Sequence, residues 1–232
     1  MNEKNQKYFT SESVTEGHPD KLCDIVSDSI LDAYLIEDSY SKCAIECMAT
    51  GNILIIAGEV TSEAVINIEN VARKTIREIG YTDNSSGFSD QCEIQLKVQQ
   101  QSVELNTNAS QERPGAGDQG LMFGYACDHT DEYMPVPIYL AQRLARKLTL
   151  LRKTDAVPGL RPDGKTQVTM CYCDDGVYIH NVVIATQHSK DISTQEISKI
   201  LWPKIKDAIP DEFMKSDFPV FLNAARNFIT GG

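Results

Sequence analysis

The residues best equipped for chemistry lie in one stretch, Phe9 to Asp24, which reads Phe-Thr-Ser-Glu-Ser-Val-Thr-Glu-Gly-His-Pro-Asp-Lys-Leu-Cys-Asp. Consecutive positions hold an imidazole (His18), a carboxylate (Asp20) and an ammonium (Lys21), interrupted only by Pro19. Proline suits the first position of a helix, where its missing N–H would be unpaired anyway and its fixed φ already matches. The spacing therefore predicts a helix from Pro19. The first turn of such a helix presents unpaired backbone N–H groups and the positive end of a dipole beside Asp20 and Lys21, which suits a phosphate and its metal. A plainer reading of His-Pro-Asp alone is an exposed histidine followed by an acid that complements the dipole.

A second constellation lies in the apolar runs Cys43 to Thr50 and Ile53 to Val60, which flank Gly51-Asn52. That pair signals a two-residue hairpin. With Thr50 opposite Ile53, Glu46 faces Ala57, and Glu59 is its diagonal neighbour on the same face, about 7 to 8 Å away. Two carboxylates among Ile, Met and Ala call for cations or ammonium groups to meet them. An edge strand carrying solvated acids is the alternative, and a longer loop would break the same-face relation.

The elements that must position these groups follow from hydrophobic periodicity. Beyond Pro19, Leu22, Ile25, Val26, Ser29, Ile30 and Ala33 recur at helical spacing, leaving Asp24, Asp28 and Asp32 on a solvated side. Ser62 to Ile79 predicts a second helix stopped by Gly80, and Cys92 to Gln99 alternates as a half-buried strand. Gln100 to Gly117 is polar and aperiodic, as a loop between two units. The second unit is expected to contain a strand at Leu121 to Cys127, a helix at Pro135 to Arg152, and strands at Thr166 to Cys173 and Val177 to Gln187. A capped helix from Ser193 to about Ala208 and a last strand in Pro219 to Thr230 complete it. The shared order predicts an α+β protein of repeated β-α-β-β-α-β modules with helices on one face of each sheet.

Composition narrows the function classes. A net charge of −11 and the lack of a Lys/Arg cluster argue against a nucleic-acid partner. No apolar run is long enough to span a membrane, and the polar start Met-Asn-Glu-Lys-Asn-Gln-Lys is unlike a signal peptide, so a cytoplasmic protein is expected. Seven cysteines without a Cys-x-x-Cys pair read as reduced, mostly buried thiols.

Four separated motifs resemble the S-adenosylmethionine synthetases, or methionine adenosyltransferases. They are Phe-Thr-Ser-Glu-Ser-Val-x-Glu-Gly-His-Pro-Asp-Lys at 9–21, the Thr-Gly and Gly-Glu of the hairpin at 50–59, Gly-Ala-Gly-Asp-Gln-Gly-Leu-Met-Phe-Gly-Tyr-Ala at 115–126, and Leu-Arg-Pro-Asp-x-Lys-Thr-Gln-Val at 160–168. The resemblance implies adenosyl transfer from ATP to L-methionine with cleavage of the tripolyphosphate. It implies His18 as donor to the leaving oxygen, Asp20 as a magnesium ligand and Glu46 at a potassium site. Lys21, Asp163 and Lys165 would lie on the triphosphate and nucleotide, Lys165 with a catalytic role, and Phe228 would stack on adenine. Glu59, Gln101 and Asp118 would bind methionine. It further implies a homodimer or homotetramer with sites between subunits, and a division into an N-terminal module (1–101), an active-site loop (102–114) and a central module (115–232). Two departures stand out: Gln101-Ser-Val-Glu-Leu105 replaces the family's Gln-Ser-Pro-Asp-Ile, and Arg226-Asn227-Phe228 replaces Gly-Arg-Phe. The family has a third module with further metal and phosphate ligands that these residues do not include, so the 232-residue chain alone is expected to form little or no product. A two-module relative that binds nucleotide, or pairs with a synthetase subunit without catalysing, is the alternative.

Overall fold

The computed structural model describes residues 6–100, 120–174, 176–214, 217–224 and 227–231. Its elements are β1 (Lys7–Val14), α1 (Pro19–Glu37), β2 (Lys42–Thr50), β3 (Ile53–Thr61), α2 (Ile68–Ile79), β4 (Glu93–Gln100), α3 (Val136–Lys153), β5 (Leu160–Cys173), β6 (Gly176–His188), α4 (Thr194–Ile205) and β7 (Val220–Leu222). Two sheets form, one in the order β2-β3-β4 and the other β1-β5-β6-β7. This is the expected α+β class, each sheet being covered by helices.

Helix α1 begins at Pro19 and buries Leu22, Val26, Ile30 and Tyr34, one residue per turn. These meet Leu54, Ile56 and Val60 of β3 and Ile68, Ala72, Ile76 and Ile79 of α2 in one core. A second core joins Leu140, Leu144 and Leu148 of α3 to Val168, Met170, Val182 and Ile184 of the other sheet and to Ile197, Leu201 and Ile205 of α4. Each fully buried aliphatic side chain contributes about 1.5 to 3 kcal/mol, so these two clusters drive folding. Ser193 and Glu196 close the expected capping box at the start of α4.

Four elements depart from expectation. Strand β1 does not join the sheet of its own half; it pairs antiparallel with β5, from Lys7 opposite Tyr172 to Val14 opposite Lys165. The residues predicted as a strand at Leu121 to Cys127 join neither sheet, and Leu121, Met122, Phe123 and Tyr125 are all exposed. The β5 edge is already taken by β1, which runs from Lys7 without a break into the loop before α1. Helix α2 starts at Ile68, six residues later than periodicity predicts, because Asp38 captures the Glu63 N–H at 3.0 Å and Ser62 Oγ captures that of Ala64 at 3.0 Å. Such local side-chain acceptors compete with helical hydrogen bonds. Val65 is 97% exposed as a result. The last strand shrinks to Val220–Leu222, since Asn223 takes a left-handed φ of 45° and turns its side chain back to bond both N–H and C=O of Thr186.

Candidate functional site

His18 occupies the N-cap of α1 with extended backbone angles, φ −66° and ψ 139°. Its Nδ1 accepts the Asp20 N–H at 3.3 Å, satisfying one of the helix's unpaired donors. An accepting Nδ1 carries no proton, so the neutral ring holds its proton on Nε2, which is left as a donor. The side chain keeps 21% of its surface exposed, and the Asp20 carboxylate beside it 87%. Helix capping thus sets the histidine's tautomer, and the helix start places an exposed carboxylate next to it.

The approach to His18 is docked onto a distant segment. The Thr15 N–H donates to Gly164 O at 2.9 Å, and Thr15 Oγ1 to Pro162 O at 2.7 Å. Gly17 lies so close to Pro162 that an added Cβ would come within 2.6 Å of the Pro162 oxygen, so only a residue without a side chain permits the contact. Tyr81 Oη closes the other side by donating to Gly17 O at 2.7 Å. Burial, and then the nearby Asp163 charge, push the Tyr81 hydroxyl above its ordinary pKa, keeping it protonated as a donor. Below the loop Glu16 is gripped by Arg152 and by Lys153, the latter at 2.9 Å. Arg152 also donates to Ile79 O at 2.7 Å. Burial lowers the pKa of that guanidinium while Glu16 opposes the shift, and arginine keeps its charge.

Lys165 and Asp163 enter through the same docking. Lys165 lies opposite Val14 in the sheet, on the face away from the helices, with Nζ 3.2 Å from Glu12 Oε1. Asp163 is 3% exposed, and its backbone N–H donates to Gln187 Oε1 at 3.3 Å. Gln187 is itself fully buried, and its Nε2 donates to Ile229 O at 3.0 Å. The half-buried Phe228 is held beside it, its N–H donating to His188 Nε2 at 3.2 Å and its carbonyl accepting the His188 N–H at 2.8 Å. Continuous hydrogen bonding therefore links the His18 loop, the Asp163–Lys165 segment and Phe228. The exposed Lys21 lines a cleft with Glu16, Ser13 and Arg146.

The two hairpin carboxylates lie elsewhere. The register is the expected one, with Thr50 opposite Ile53, Glu46 opposite Ala57 and Glu59 opposite Ala44, so both acids share the helix-free face of the β2-β3-β4 sheet. Glu46 is exposed, and Glu59 accepts from Gln99 Nε2 at 3.1 Å. Among the described residues no hydrogen bond or ion pair joins either acid to His18, Asp20 or Lys165. Gln101 and Asp118 lie outside the described residues.

Among the described residues no three His, Cys, Asp or Glu side chains gather where they would hold a metal ion. Asp20, a single exposed hard-oxygen donor, fits a magnesium ion that takes its remaining ligands from water and substrate phosphates. Thr15, Glu16, Tyr81, Arg152 and Gln187 were not singled out from the sequence. They act through partners as far away as 149 residues, and no local spacing signals that.

Comparison with known proteins agrees with these motifs. Residues 6–103 match the N-terminal domain of S-adenosylmethionine synthetase and residues 113–228 match its central domain. An S-adenosylmethionine synthase of Corynebacterium kroppenstedtii is 44% identical over 248 aligned positions, covering 98% of this chain. The chain spans 62% of that relative's length. With family domains matched along most of its residues, the chain belongs to the S-adenosylmethionine synthetase family.

Proposed function

We propose that the chain supplies the nucleotide-binding and leaving-group part of a methionine adenosyltransferase, which forms S-adenosylmethionine from ATP and L-methionine. The observation that carries this reading is the docking of Thr15–Gly17 onto Pro162–Gly164. It ties a histidine with a free Nε2 donor to the segment bearing Lys165. In the reaction the methionine sulfur attacks the ribose C5′, and the departing triphosphate gains charge as its C–O bond breaks. His18 Nε2–H donates to that oxygen, Lys165 moves from Glu12 to the phosphates, and the dipole of α1 adds positive potential. Magnesium bound at Asp20 would neutralise phosphate charge. Potassium at Glu46, with methionine held by Glu59, Gln101 and Asp118, completes the assignment. Cleavage of the tripolyphosphate follows before release.

The helix-free face of the β2-β3-β4 sheet, which carries Met48 at 56% exposure beside Glu46, supports a homodimer or homotetramer in which subunits share sites. Seven thiols and no disulfide support a cytoplasmic setting. Mass-spectrometric assay of product from ATP, methionine, magnesium and potassium tests the function. The protein as its source cell makes it should form S-adenosylmethionine, whereas the 232-residue chain alone should bind a non-hydrolysable ATP analogue and form little product. Absence of analogue binding would overturn the reading. Asp118→Asn should raise KM for methionine more than KM for ATP, because an ammonium loses its charge partner.

A further inference from the structure

We propose that Cys171 and Cys173 are a vicinal dithiol that closes to an intramolecular disulfide with peroxide and reopens with small thiols. Alternation along β5 puts both side chains on the sheet face away from the helices, with Tyr172 pointing to the other side. Their sulfurs are 2.8 Å apart. That is well inside the roughly 3.5 to 4.0 Å at which uncharged heavy atoms normally rest, and close to the ~2.0 Å of an S–S bond.

The surrounding backbone allows the closure. Two strand residues span roughly 6.6 Å between Cα atoms, at the long end of the ~4.4 to 6.8 Å bridged by disulfides. A register shift between Thr169 and Met170, where His180 is the extra residue on β6, interrupts the ladder just before Cys171, and the hairpin turn at Asp174 follows Cys173 directly. The Cys171–Cys173 segment is thus confined between a ladder interruption and a turn, and the continuous pairs that hold Lys165 lie upstream of both. Cys173 is partly exposed and Cys171 is 8% exposed, so an oxidant reaches Cys173 first.

Four of the other five sulfurs compete poorly. Burial pushes the Cys47 thiol up to about 12 and raises those of Cys23, Cys43 and Cys92, which suppresses the reactive thiolate. With hydrogen peroxide, the Cys173 thiolate attacks one oxygen, the O–O bond breaks, and a sulfenic acid and hydroxide form. The Cys171 thiolate then attacks that sulfur and expels a second hydroxide. The two hydroxides take up the two thiol protons, so two thiols and one peroxide give one disulfide and two waters.

The test uses the reduced chain, a few equivalents of hydrogen peroxide, iodoacetamide blocking and tryptic mass spectrometry. Peptide 166–190 carries Cys171 and Cys173 and no other cysteine. It should lose two hydrogens, carry no alkyl group, regain two alkylation sites after dithiothreitol, and react at least about tenfold faster than the peptide carrying Cys47. In Cys173→Ser no such intramolecular loss should occur. A second measurement needs no variant: phenylarsine oxide, which bridges paired thiols, should protect both residues from alkylation at one arsenic per chain. Double alkylation of peptide 166–190 after peroxide, disulfides only between chains, or no arsenical protection would each overturn the proposal.

Discussion

Replacing Gly17 with alanine tests whether the His18 loop is held by its docking. The new Cβ would lie 2.6 Å from Pro162 O and nearer still to Pro162 Cβ, where about 3.5 Å is an ordinary contact, so the two backbones must separate by more than about 1 Å. Three donors hold this point: Thr15 Oγ1 to Pro162 O at 2.7 Å and at longer range to Gly164 O at 3.3 Å, Thr15 N to Gly164 O at 2.9 Å and Tyr81 Oη to Gly17 O at 2.7 Å. Each contributes on the order of 1 kcal/mol net, and overpacking at a backbone contact costs about 1 to 3 kcal/mol. The expected loss is therefore about 2 to 4 kcal/mol, large beside the ~5 to 15 kcal/mol of a typical domain. In urea unfolding followed by far-UV circular dichroism, the midpoint should fall by about 1 to 2 M. Affinity for a magnesium-bound ATP analogue should fall with it, since His18 and Lys165 no longer share a rigid frame. Gly124→Ala, where an added Cβ meets nothing within 4 Å, is the steric control and should leave the unfolding midpoint unchanged. An unchanged midpoint in Gly17→Ala would refute the docking argument.

Other perturbations reach the same frame by different routes. Arg152→Met removes the partner of Glu16 and of Ile79 O while leaving Lys153 in place, and should cost about 2 to 3 kcal/mol in denaturant unfolding. Ser193→Ala breaks the capping box of α4 and should cost about 1 kcal/mol, read from the shift in Tm, with analogue binding untouched. Asp83 is held down to about 2 by hydrogen bonds from the Ser85 side chain and then from Arg161, against an ordinary value of 3.8. Its folded pKa lies below the unfolded one, so its contribution is present above about pH 4 and is lost as pH falls toward 2. Because the pair is largely exposed the contribution is on the order of 1 kcal/mol or less. Asp83→Asn should flatten that segment of the stability-against-pH curve.

The helices and hairpins were legible wherever a single periodicity governed a segment. The stripe of α1, the register of β2 with β3 and the capping box of α4 each follow from residues adjacent in sequence. What escaped depended on partners far away. β1 could not be assigned to the sheet of β5 from its own residues, because pairing across about 160 positions leaves no mark in either strand. The late start of α2 was hidden by Asp38, whose carboxylate accepts from a segment 25 residues on. Within the candidate site His18, Asp20 and Lys21 were visible because they cluster at a helix start. Tyr81, Arg152 and Gln187, which hold that cluster against the Asp163–Lys165 segment, are single residues in otherwise ordinary helix ends and strands.

In the proposed adenosyl transfer, His18 Nε2–H donates to the leaving oxygen. His18→Asn tests it most directly, because asparagine is also a good N-cap and preserves the helix start. Turnover and ATP-analogue affinity should be measured together on the protein as its source cell makes it. Analogue affinity should stay within about threefold of the unmodified protein and the turnover number should fall by a factor on the order of 10² or more, since this donation strengthens only in the transition state. A turnover number left unchanged by the substitution would contradict it.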